Sequence, residues 1–158
     1  MKVLFLDIDG VLSSLASQSQ PKVEISWAIP EERLVEDFDP DCIARLITIV
    51  KQTGASIVIS SSWRKLFEKQ TLVNHFKKYG IDCIVDMTPD LKQHRGLEIQ
   101  AWLNEHKDIE KFAILDDDND MFHLAPYLIK TNWKYGLTED NANKVIEMLG
   151  KICKQIKE

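Results

Sequence analysis

Long hydrophobic runs are missing from this chain. None approaches the ~18 apolar residues that a membrane-spanning helix needs, and the run that opens after Lys2 is cut at Asp7, so it is no signal peptide. Cysteine is scarce: Cys42, Cys83 and Cys153 are odd in number, far apart and form no CxxC pair. Each sits in an apolar setting, which predicts buried thiols in a reducing compartment rather than disulfides or metal ligands. The histidines, His75, His94, His106 and His123, lack metal spacing and are expected mostly at the surface. A basic excess is absent too. The net charge of -5 gives no electrostatic footprint for non-specific binding to nucleic acid or an anionic membrane, although a local basic patch stays open. No repeat or low-complexity segment interrupts the chain. These absences leave a soluble, cytoplasmic protein, whose 158 residues suffice for one domain with a single core.

What is present is an alternation of short apolar runs with amphipathic segments. Strands are expected in "KVLFLDID" (2–9), "ASIVIS" (55–60), "DCIVD" (82–86), "KFAIL" (111–115) and the weaker "YLIKT" (127–131). Helices are expected over 40–53, with Pro40 in the first turn and Gly54 as the stop, and over 64–79, with Leu66, Val73 and Phe76 inward. Two more are expected over 96–106, carrying Ile99 and Trp102, and from about Glu139 after a Thr138 cap, running on through Ile152, Cys153 and Ile156. This order predicts an α/β fold: a three-layer, Rossmann-like, mainly parallel sheet with helices on both faces. Sites in such sheets form at the carboxyl ends of the strands. The segment 11–39 is too long for a simple connection and is read as an excursion, or flap, over that edge. Trp27 and Trp133 are expected to be partly buried, and Trp63 to pack beside a strand end.

The carboxyl ends carry unusual chemistry. Asp7 and Asp9 close the first strand with one residue between them, and Gly10 then allows a sharp turn. Two close carboxylates are stable mainly when a cation lies between them or one keeps a proton. Asp116, Asp117, Asp118 and Asp120 follow the fourth strand, on the same inferred edge. A hard divalent ion such as Mg²⁺ suits this donor set and would also bind a phosphate. Ser60, Ser61 and Ser62 end the second strand at a helix start, where a hydroxyl is either a cap or part of a phosphate cradle. Lys92 and Arg95 precede the helix before the fourth strand; an arginine there opposes the helix dipole, which implies another use.

Taken in order, "DIDGV", "IVISSS", the cation before a helix and "ILDDDND" resemble the haloacid dehalogenase (HAD) superfamily over nearly the whole chain. Finer wording, "SSSWR", "RGLEIQAWL" and "GLTEDNA", is similar to the small HAD domains grouped with RNA-repair phosphatases. The resemblance implies a phosphatase with Asp7 as nucleophile and Asp9 as general acid/base. Mg²⁺ would be held by Asp7, the Asp9 carbonyl and Asp116, with Asp117 or Asp120 orienting the ion or its waters. Phosphoryl oxygens would meet Ser60 or Ser61, Gly10, and either Arg95 or Lys92. The "RG" position favours Arg95; the following Trp favours Ser61, and the end of the apolar run favours Ser60. Asp116 with Asp120 keeps the family's four-residue separation.

HAD enzymes often carry a large cap domain, and neither 11–39 nor 62–95 has room for one. An open site would admit a bulky phosphorylated substrate, such as a nucleic-acid end or a phosphoprotein; a nucleotide or small metabolite would need the flap or a neighbouring subunit to exclude water. The acidic net charge weighs against polynucleotides. Phosphotransfer to an acceptor other than water uses the same motifs, and a non-catalytic phosphoacceptor or metal-binding module is a further alternative.

Overall fold

A computed structural model describes residues 1–15 and 38–152. Five strands, β1 (Lys2–Leu6), β2 (Ser56–Ile59), β3 (Ile84–Met87), β4 (Lys111–Asp116) and β5 (Leu128–Lys130), form one sheet in the order β3-β2-β1-β4-β5, every pair parallel. The helices are α1 (Pro40–Thr53), α2 (Lys69–Lys77), α3 (Arg95–Glu105) and α4 (Glu139–Leu149). Among the described residues no cap domain is inserted. The expected three-layer α/β architecture is therefore the observed one.

Side-chain alternation along the strands sorts the core into two layers. Leu4, Leu6, Ile57, Ile59, Ala113 and Leu115 pack with α1, α2 and α4 through Leu46, Ile49, Leu72, Phe76 and Val145. Val3, Phe5, Val58 and Ile114 face the other way, onto Ile99 and Trp102 of α3 and onto Met121 and Leu124. Asp39 caps α1 by accepting from Asp41 N and Cys42 N, and Gly54 ends that helix at φ 67°. Thr138 and Asn141 form a reciprocal cap on α4.

Several boundaries differ from the sequence reading. The helix expected over 64–79 is two pieces, a 3₁₀ turn at Ser62–Lys65 and α2, and Leu66 between them is exposed rather than inward. Ser61 explains the first piece, because its hydroxyl accepts from Trp63 N and starts a turn that closes within four residues. A second 3₁₀ turn, Phe122–Tyr127, takes the front of the expected fifth strand. Trp133 is exposed and His75 is buried, the reverse of expectation, since His75 packs among Phe38, Phe76 and Tyr79. Cys42 is buried and Cys83 half-buried. Ile152 is exposed, and Cys153, Ile156, Trp27 and most of the 11–39 excursion lie outside the described residues. The two ends of that excursion meet, as Asp39 N donates to Leu12 O at 2.7 Å.

Candidate active site

Three neighbouring strands deliver the site. Asp7 N donates to Leu115 O at 2.9 Å and Ser60 N donates to Leu6 O at 3.0 Å, so the chain ends after β1, β2 and β4 stay in register past the last ladder pairs. Asp7, Ser60 and Asp116 continue the two-residue phase of Phe5, Val58 and Ile114, which is the α3 face. The N-terminus of α3 lies there, and its first residue is Arg95. Arg95 Nη1 approaches Asp116 Oδ2 at 2.8 Å and Asp7 Oδ1 at 3.1 Å.

Asp7, Asp116 and Asp117 each offer an oxygen within 4.8 Å of the other two. Asp117 gets this close because Gly10, at φ 78°, presents no side chain; a Cβ there would run into the Asp117 carboxylate. Burial pushes Asp7 above the usual carboxylate range, although Arg95 opposes the rise. Asp116 is pushed up to about 8, by burial first and then by the neighbouring Asp7 charge. Three crowded carboxylates against one guanidinium, with two of them reluctant to ionise, form a site that a cation would stabilise. The donors are hard oxygens, which fits Mg²⁺.

The other expected residues lie around this centre. Asp9 is outside the carboxylate cluster: its side chain is exposed and accepts from Trp63 Nε1 at 2.9 Å and from Ser13 Oγ at 3.4 Å. Asp120 is also outside it and serves the start of α3, where its Oδ2 accepts from Arg95 N at 3.0 Å. Ser61 has its hydroxyl engaged as the cap of the 3₁₀ turn. Ser60 Oγ is buried with no hydrogen-bond partner among the described residues, which leaves that hydroxyl open for an incoming acceptor. Lys92 is exposed in a left-handed turn at φ 55°, and the cation that reaches Asp7 is Arg95.

Sequence reasoning missed two supporting residues, Arg64 and Glu98. Their side chains are buried as an ion pair between the hydroxyl-bearing turn and α3. Arg64 Nη1 also donates to Ser60 O at 2.9 Å and Ser61 O at 2.7 Å, and Glu98 Oε1 accepts from Leu91 N at 2.9 Å. The only signal was local: a charged residue directly beside a large apolar one in each of two stretches, Arg64 after Trp63 in "SSSWRKLF" and Glu98 between Leu97 and Ile99 in "RGLEIQAW".

Among the described residues no helix is long and apolar enough to cross a membrane. No curated protein matches the chain. A family described as the HAD domain in Swiss Army Knife RNA repair proteins matches residues 3–142. With that coverage, and with the acidic carboxyl edge of its parallel sheet, the chain belongs to this family of HAD domains.

Proposed function

We propose that this protein is a Mg²⁺-dependent phosphomonoester hydrolase that works through an aspartyl-phosphate on Asp7. The observation that carries the reading is the convergence of Asp7, Asp116 and Asp117 within 4.8 Å, with Arg95 3.1 Å from Asp7. Asp7, Asp116 and Asp117 would hold the ion, together with the Asp9 carbonyl that the family resemblance adds. When bound, Mg²⁺ offsets the charge of the transferring phosphoryl group.

An Asp7 oxygen attacks phosphorus, and the bond from phosphorus to the ester oxygen breaks. Asp9 gives its proton to the leaving oxygen. Water then attacks the phosphorus of the aspartyl-phosphate; Asp9 takes the water's proton, the bond to Asp7 breaks, and inorganic phosphate leaves. Arg95 orients Asp7 and offers its remaining N–H groups to the phosphoryl oxygens. Ser60 Oγ, buried and without a partner, supplies a further donor to them.

The substrate class we favour is the terminal phosphate of a nucleic acid. The family is described from RNA repair proteins, and no cap domain among the described residues stands over the strand ends. The test is phosphate release with Mg²⁺ from 3′- and 5′-phosphorylated oligonucleotides, mononucleotides, sugar phosphates and phosphopeptides, comparing wild type with Asp7→Asn. Release from oligonucleotides that Asp7→Asn abolishes is the expected result. A fully active Asp7→Asn variant overturns the nucleophile, and preference for a small metabolite overturns the substrate class. Transfer of the phosphoryl group to an added alcohol, at the expense of free phosphate, would instead indicate a phosphotransferase.

A further inference from the structure

Asp9 has two jobs in the proposed reaction, and an exposed carboxylate left alone would rotate among several rotamers between them. It is not left alone. Trp63 Nε1–H donates to Asp9 Oδ2 at 2.9 Å, across the gap between the ends of β1 and β2. The indole itself has little freedom. Its residue is 9% exposed, its ring packs between Phe38 and Phe67 at 5.8 Å each, and its backbone is tied to Ser61 and to Phe67 N.

We infer that Trp63 is a positioning residue that pins Oδ2 of Asp9 and so reserves Oδ1 for the proton that is delivered and recovered. An indole N–H donates and cannot accept. A carboxyl oxygen that carries a proton is the poorer acceptor, so the oxygen facing Trp63 stays unprotonated and the proton goes to Oδ1. Ser13 Oγ stands 3.4 Å from Oδ1. A hydroxyl both donates and accepts, so this contact tolerates either state of Asp9, and at that length it yields readily to a leaving oxygen or a water. The pin also ties the acid/base to the turn that directly follows Ser60.

This inference rests on the phosphatase reading, and leaving groups of graded basicity separate the two. Trp63→Phe removes the N–H while keeping an aromatic ring, smaller than the indole, in the Phe38–Phe67 contact. Mg²⁺-dependent kcat/KM would be measured for 4-nitrophenyl phosphate, whose phenolate leaves without a proton, and for an alkyl phosphate, whose oxygen needs one. A misplaced acid should cost the alkyl ester roughly thirtyfold or more and leave the nitrophenyl ester within about threefold. A uniform loss across both esters, or no loss at all, overturns the positioning role and leaves the phosphatase standing. Absence of turnover by the wild type with every ester overturns both. A second readout is independent of turnover: the Trp63 indole N–H resonance should move in Asp9→Asn, and an unmoved resonance overturns the pin.

Discussion

Arg95 shows how a single residue reconciles conflicting demands at the site. Burial works against its charge, but Asp7 and Asp116 together outweigh that cost, and its pKa stands above the ordinary arginine value. The guanidinium has five donors in a fixed fork, and the two carboxylates engage one nitrogen, so the rest of the fork remains for a phosphoryl group. Replacing Arg95 by Ala should lower kcat/KM for phosphate release by about 100-fold, the usual cost of removing a preorganised donor to a developing anion. Lys would restore little, since an ammonium is a point charge without the fork. Lys92→Ala, at an exposed position, should stay within about twofold. Steady-state kinetics on the three variants tests the assignment, and a large defect in Lys92→Ala with little in Arg95→Ala would reverse it.

At the scale of elements, the site depends on how α3 is seated. Three contacts fix its first turns: Asp120 receives Arg95 N, Gly96 lies so close to Met121 that a Cβ would come within 2.7 Å of its carbonyl carbon, and Glu98 pairs with buried Arg64. Removing one partner of a buried pair leaves the other charge uncompensated. Burial already pushes the Arg64 pKa down, against the upward pull of Glu98. Glu98→Ala should therefore destabilise the fold by about 3 kcal/mol in urea unfolding. A change below about 0.5 kcal/mol, typical of surface positions, would show that the pair does not seat α3. The elements also show what was legible in the sequence. Buried strands such as "SIVI" and "KFAILD" announce themselves because apolar residues on both faces leave no polar phase. The carboxylates were legible because each follows such a run. The break of 64–79 was not, since Leu66 fits an amphipathic period and only the Ser61 cap shows that the first turn closes on itself. Arg64 and Glu98 were illegible for a different reason: 34 residues separate them, and only the placement of α3 over β1 and β2 brings them together. The roles of Ser60 and Ser61 likewise separate only in three dimensions, where one hydroxyl caps a turn and the other has no partner.

At the scale of the whole molecule, the sheet order places β1 between β2 and β4, so the fold itself collects negative charge at one edge. That concentration couples folding to protons and to cations. In the chelated protein Asp116 has its pKa raised from 3.8 to about 8, and Asp7 is raised as well. A raised carboxyl pKa means that the native state binds more protons than the unfolded chain between those two values. Its stabilising contribution is thus complete below about pH 4 and is lost as pH rises toward 8. Other carboxylates dominate acid unfolding, so the diagnostic quantity is the difference between wild type and Asp116→Asn, which lacks this titration. Measured in EDTA, the stability of the wild type relative to the variant should fall from pH 5 to pH 8. Mg²⁺ should reverse the trend where the carboxylates are easiest to ionise. At a concentration near 100 times its dissociation constant, a ligand bound only by the native state adds about 2.7 kcal/mol. For a chain of this size that corresponds to roughly 5–10 °C in Tm. The Tm increase should be largest near pH 8, shrink toward pH 5 as protons compete, and vanish in Asp116→Asn. A Tm indifferent to Mg²⁺ at pH 8, or an undiminished response in the variant, would show that the three carboxylates do not hold an ion, and the chemistry proposed for Asp7 would lose its support.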